Sequence, residues 1–164
     1  MKRPVTDMCD LNRELPPDAP EAPQWLVDAL QVPREEGWIT SNECDVHYFR
    51  WGDPANPPLL LMHGFLAHAR CMAFIAPFLA EQYHVVAYDL SGMGDSGIRS
   101  SYPDAVRAQE VVDVARETDL FDHAIKPIVI AHSYGGHVGL AAMNDFHELF
   151  GGLVVCDLMV LRPE

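Results

Sequence analysis

The residues best suited to chemistry lie in the segment Pro127-Ile-Val-Ile-Ala-His-Ser-Tyr-Gly-Gly136. An apolar run leads directly into Ser133, and a run compatible with a helix follows it. Two positions either side of the serine stand small residues, Ala131 and Gly135. A tight strand-to-helix turn that projects a serine needs such neighbours, because larger ones would collide across the turn. Gly136 would let the helix lie close to the sheet. A serine so placed is a nucleophile: Oγ attacks a carbonyl carbon, and the helix N-terminus offers free N–H groups and its positive dipole end to the developing charge. The plainer alternative is a serine that caps a helix. A second segment, His63-Gly64-Phe65, directly follows the apolar run Leu59 to Met62. The backbone N–H groups of Phe65 and of Tyr134 are the expected oxyanion donors.

These residues need strands and helices to hold them. Trp25, Leu26, Ala29 and Leu30 recur at helical spacing before Pro33. Trp38 to Ser41 and Cys44 to Trp51 are β-prone runs separated by Asn42-Glu43, a hairpin pattern. Leu59–Met62, Tyr83–Tyr88, Pro127–Ala131 and Leu153–Cys156 are apolar runs of the kind buried on both faces of a sheet. Between them, helices are expected over Met72–Leu79, distorted by Pro77, over the stretch containing Ala108, Val111, Val112 and Ala115, and over Tyr134–Leu149. Ser101 and Asp104 have capping-box spacing ahead of the second of these. The alternation predicts an α/β fold: a mostly parallel sheet with helices on both faces and an antiparallel hairpin at its start.

Composition narrows the function classes. The 164 residues are 49% hydrophobic and 21% charged, as in an ordinary globular domain. A net charge of −13 disfavours binding to nucleic acid or to anionic membranes. No apolar run reaches the ~20 residues that span a bilayer, and Met1 to Asp10 lacks the apolar core of a secretory signal. Cys9, Cys44, Cys71 and Cys156 show no zinc-site spacing and read as reduced thiols of a cytoplasmic protein. No metal or cofactor site is expected.

Three blocks together resemble the α/β-hydrolase superfamily: His63-Gly-Phe-Leu-Ala-His-Ala-Arg70, Tyr88-Asp-Leu-Ser-Gly-Met-Gly-Asp-Ser-Gly97 and Ala131-His-Ser-Tyr-Gly-Gly136. The middle block is similar to the family's Asp-x-x-Gly-x-Gly-x-Ser loop. Ala131 replaces the usual glycine, as in small bacterial lipases of this fold. The resemblance implies a serine hydrolase acting on a small-molecule ester-like substrate, or on an activated carbon–carbon bond, through an acyl-enzyme. A serine at position 133 argues against haloalkane dehalogenases and epoxide hydrolases, which use an aspartate there. Gly64, Phe65, His68 and Tyr134 are the implied substrate contacts, with His68 and Arg70 either at the pocket mouth or simply polar at a helix start. Asp157 is either the triad acid or a turn aspartate. His63 and His132 read as local packing or hydrogen-bonding residues, and Asp89, Asp95 and Ser96 as turn formers. His137 and His147 fall on the helix after Ser133, and His47, His84 and His123 show no constellation.

The family order is serine, acid, histidine. The resemblance therefore implies a core truncated after its sixth strand, with the cap, the last two strands and the base beyond Glu164. The expected organisation is a tail at 1–22, a short amphipathic helix at 23–33 and an incomplete core at 34–164, poorly active alone. The alternative is a non-catalytic remnant that binds a ligand or, through an exposed sheet edge, itself or a complementing fragment.

Overall fold

A computed structural model describes residues 20–158. Cys9 and most of the expected tail lie outside the described residues. Six strands form one sheet in the order β1-β2-β4-β3-β5-β6. They are β1 (Glu35–Ser41), β2 (Cys44–Trp51), β3 (Pro58–Met62), β4 (His84–Tyr88), β5 (Ile128–His132) and β6 (Gly152–Cys156). β2 pairs antiparallel with β1 and β4, and the remaining pairs are parallel. The helices are α1 (Gln24–Gln31), α2 (Ala76–Ala80), α3 (Asp104–Glu117) and α4 (Tyr134–Phe146).

Strand periodicity divides the core into two layers. Leu60, Met62, Val86 and Tyr88 face one side, against Ala108, Val111, Val112 and Ala115 of α3 and Val138 and Ala142 of α4. Leu59, Leu61, Val85 and Ala87 face the other, against Ala69, Ala73 and Ala76, with Leu30 of α1 added at the margin. β3 and β4 are buried along their whole length, as their unbroken apolar runs require. β6 departs from that expectation. It is the outer strand: Leu153 and Val155 lie under Gly139 and Gly136 of α4, while Val154 on the opposite face is half exposed.

Two helix starts also differ from expectation. Pro77 sits in the first turn of α2, where its missing N–H costs nothing, so it begins a helix instead of bending one. The chain before it is a short 3₁₀ turn at Ala69–Met72. The Ser101–Asp104 capping box does not form. Proline disfavours a helical residue before it, so the chain at Tyr102-Pro103 stays extended and α3 starts at Asp104. α4 ends at Phe146 and continues as a 3₁₀ turn over His147–Leu149. β1 starts earlier than the β-prone residues suggest, with Glu35 paired to Arg50, and the Tyr48 ring lies over Gly37, where a Cβ would meet its hydroxyl at 2.6 Å.

The hairpin turn has the expected two residues, with φ of 44° at Asn42 and 62° at Glu43. That is the type I′ conformation, which favours glycine at its second position. Glu43 holds a left-handed backbone costing roughly 1–2 kcal/mol. Glu43→Gly is therefore expected to raise the melting temperature by a few degrees, as measured by circular dichroism; a fall would show that Glu43 makes a compensating contact.

Candidate active site

The end of β5 delivers Ser133 into a strained turn. Its φ is 50° and ψ −116°, a conformation that L-residues avoid unless their surroundings enforce it. The surroundings are tight. A Cβ added to Gly135 would lie 2.6 Å from the His63 carbonyl oxygen, and one at Gly136 would lie 2.7 Å from Val155. The Ser133 N–H donates to the Cys156 carbonyl at 2.9 Å. Ser133 occupies the position before α4, yet its hydroxyl makes no capping hydrogen bond. The helix-cap alternative therefore fails, and the hydroxyl is left for other work.

The segment after β3 lies beside this turn. Gly64 is buried, and a Cβ there would meet the His132 ring at 2.9 Å and the Ser133 Cβ at 3.3 Å. The side chains of Phe65 and Tyr134 meet edge to face at 5.7 Å between ring centres. Neither the Phe65 nor the Tyr134 N–H has a hydrogen-bond partner among the described residues. The site thus joins one hydroxyl, two free backbone donors and a wall of exposed apolar surface at Phe65 and Leu66. His68 sits at the start of the 3₁₀ turn with Nε2 3.7 Å from Cys71 Sγ. Arg70 turns towards the hairpin, 3.4 Å from Asp95 and 3.9 Å from Glu36. Asp157 directly follows Cys156 with φ of 56° and is exposed. His137 and His147 are exposed, and His147 Nδ1 lies 3.7 Å from Glu148.

His47 corrects the sequence reading, which gave it no constellation. It is fully buried, with Nδ1 2.8 Å from Asp89 and Nε2 2.9 Å from Glu36. Asp89 also accepts the Ala69 and Asp95 N–H groups, and its carbonyl accepts the Ser96 hydroxyl at 2.6 Å. Burial pulls the His47 pKa down, but the hydrogen bonds and charges of Asp89 and Glu36 outweigh it and raise the value. Burial raises that of Asp89, but His47 and the two amide donors outweigh it and lower the value. The side-chain atoms of Glu36, His47 and Asp95 converge within 4.8 Å, and the Arg70 guanidinium lies 3.4 Å from Asp95 and 3.9 Å from Glu36. A second buried group was also invisible in the sequence. Glu110 accepts the Ser91 N–H at 3.0 Å and pairs with Arg99 at 2.9 Å, while Arg107 donates to the Ser91 carbonyl at 2.8 Å. Contacts 42 or 58 residues apart, such as Asp89 with His47 or Arg99 with Ser41, leave no local spacing signal.

A sequence profile described as "Alpha/beta hydrolase family" matches residues 59–164. An uncharacterized hydrolase of Bacillus subtilis, YugF, is 25% identical over 71% of this chain and 42% of its own length. A human serine hydrolase-like protein is 29% identical over 65% of this chain and 52% of its own. Epoxide hydrolase 1 of Caenorhabditis elegans is 26% identical over 75% of this chain and 31% of its own. Among solved structures, a bacterial membrane phospholipase A aligns with a TM-score of 0.71 and 28% identity, covering 85% of this chain and 44% of that one. The chain thus spans about half, or less, of the length of these relatives. No helix among the described residues is long and apolar enough to cross a membrane.

Two predictions follow from the packing and the charges. Gly135→Ala forces a methyl group against the His63 carbonyl and is expected to destabilise the fold by about 1–3 kcal/mol in urea denaturation. The raised pKa of His47 adds stability that is complete below the ordinary histidine value of about 6.5 and is lost as pH rises through the folded value. The lowered pKa of Asp89 adds stability that is complete above about 4 and is lost as pH falls further. The gap in urea midpoint between the parent and His47→Gln should therefore be widest below about pH 6.5 and shrink as pH rises further, so that the two chains differ in the pH slope of their midpoints. An unchanged slope in the variant would contradict the assignment.

Proposed function

The chain belongs to the alpha/beta hydrolase family, and on that premise we propose that it carries the nucleophile side of a serine hydrolase for ester-like bonds. The observation that carries this is Ser133 itself: a strained serine with an uncapping hydroxyl, set beside Gly64 and two unpaired backbone donors. Ser133 Oγ attacks the carbonyl carbon, its proton leaves to a base, and a tetrahedral oxyanion forms. The N–H groups of Phe65 and Tyr134 stabilise that oxygen; one such donor is worth roughly 2.7–4 kcal/mol in the barrier. Collapse of the intermediate expels the alcohol and leaves Ser133 acylated, and water then releases the acid. Gly64, Phe65, Tyr134 and His68 line the substrate side, and the exposed Phe65 and Leu66 favour an apolar acyl or alkyl group. Ser133 in place of an aspartate separates this chemistry from epoxide and haloalkane hydrolysis.

The base comes from outside residues 20–158. Both nitrogens of His63 are engaged, by the Gly64 carbonyl and the Leu90 N–H. His137 and His147 are exposed on and just after α4, and His132 is the immediate neighbour of Ser133 in sequence. Asp157, one residue from the Ser133 N–H acceptor, is the proposed acid. Without a base, binding and the oxyanion donors alone leave about 10³–10⁴-fold acceleration over water. The test is capture by a fluorophosphonate, read by mass spectrometry. The chain is expected to label slowly at Ser133, and Ser133→Ala not at all. Fast labelling would mean that the chain holds its own base, and absence of labelling would remove Ser133 as the nucleophile.

A further inference from the structure

His63 is almost fully buried directly after β3, and the proposed mechanism leaves it without a role. Its two ring nitrogens have partners of opposite kind. Nε2 lies 3.0 Å from the backbone nitrogen of Leu90, which can only donate. Nε2 is therefore the bare, accepting nitrogen. Nδ1 lies 2.7 Å from the Gly64 carbonyl oxygen, which can only accept. Nδ1 therefore carries the proton, and the two contacts select one neutral tautomer. Burial keeps the ring below the ordinary histidine range, against the pull of the Gly64 carbonyl and of Asp89 and together with His68 and Arg107. An imidazolium would point a second proton at the Leu90 N–H.

The consequence falls on the next peptide. The carbonyl of Gly64 and the N–H of Phe65 belong to one planar trans unit, so they point in opposite directions. The carbonyl is held from one side by His63 Nδ1 and also accepts the Ala67 N–H at 3.3 Å. Fixing it there turns the Phe65 N–H the other way, and that N–H has no partner among the described residues. We infer that His63 is a positioning residue for the oxyanion site: as the Nδ1–H tautomer it anchors the Gly64 carbonyl and so aims the Phe65 N–H, while Leu90 holds the ring in that tautomer. The role rests on Ser133 and Phe65 acting as proposed above. It also ties the site to the loop after β4, since Leu90 adjoins Asp89 and its buried partners.

Two measurements test it. The first is a long-range ¹H–¹⁵N correlation spectrum of the ¹⁵N-labelled chain at pH 7.5. His63 should show a protonated Nδ1 and a bare Nε2; the opposite tautomer or an imidazolium overturns the inference, whatever Ser133 does. The second compares His63→Asn with His63→Gln. The asparagine amide can take the place of Nδ1 and keep the Gly64 contact; the glutamine amide can take the place of Nε2 and keep only the Leu90 contact. Fluorophosphonate capture at Ser133 should stay within about threefold of the parent chain in His63→Asn and fall at least about tenfold in His63→Gln, as for a misplaced oxyanion donor. The urea midpoint should fall more in His63→Asn, which leaves a buried N–H unpaired. Rate and stability that fall in parallel across the two variants would reduce His63 to a structural residue. If the parent chain shows no capture at all, the nucleophile reading fails while the tautomer measurement still decides the inference.

Discussion

The first turn of α4 must come almost into backbone contact with the end of β3. The space for a side chain is absent at Gly135, where the His63 carbonyl lies 2.6 Å from where a Cβ would stand. Gly64 makes the reciprocal approach to Ser133, and the Ser133 N–H is tied to Cys156 at the end of β6. Three strand ends thus converge on one residue, each set in height by the parallel ladders behind it. That convergence sustains the strained backbone of Ser133, which in a free chain would relax. It also sets Gly64, and with it the start of the Phe65 segment, directly beside Ser133.

The buried charges hold the other side of the site. Asp89, directly after β4, gathers His47, Ala69 and Asp95 around one carboxylate. Glu110 on α3 gathers Ser91, Arg99 and Arg107. Between them they fix the loop that presents the Leu90 N–H to His63. Such groups are costly to bury singly and rigid when hydrogen-bonded, and apart from Arg107 Nε the polar atoms of Asp89, Glu110 and Arg107 that bind this loop have partners. Through the Leu90 N–H and His63 the loop is tied to the Gly64 carbonyl. Part of the site's geometry therefore originates in the hairpin, through His47 on β2 and Glu36 on β1.

What was legible in the sequence was whatever repeats or sits close along the chain. Leu59–Met62 and the run ending at Tyr88 announced the buried central strands, and Ala131, Ser133, Gly135 and Gly136 announced the elbow. The Asn42-Glu43 turn was readable for the same reason. The burial of His47, Arg107 and Glu110 was not, since charge in a sequence does not say which partner it meets, whether Asp89 at 42 residues from His47 or Ser91 at 16 and 19 from Arg107 and Glu110. The start of α3 was misread because a local capping pattern at Ser101 lost to the stiffness of Tyr102-Pro103. β6 was expected as an apolar run buried on both faces and also as the free edge of the sheet; it is that edge, but Val154 on its outer face is half exposed, because an apolar strand reads alike at the centre and at the rim. The resemblance to hydrolases came from three short blocks, and they name a chemistry more firmly than they name a substrate.

The central claim is that Ser133 Oγ and two backbone amides surround one reacting centre. The most direct measurement is a crystal structure of the chain carrying a phosphonyl group on Ser133. The account predicts the phosphonyl oxygen about 2.7–3.1 Å from the nitrogens of both Phe65 and Tyr134, with Ser133 still at positive φ. A phosphonyl oxygen turned to solvent, away from both amides, would contradict it.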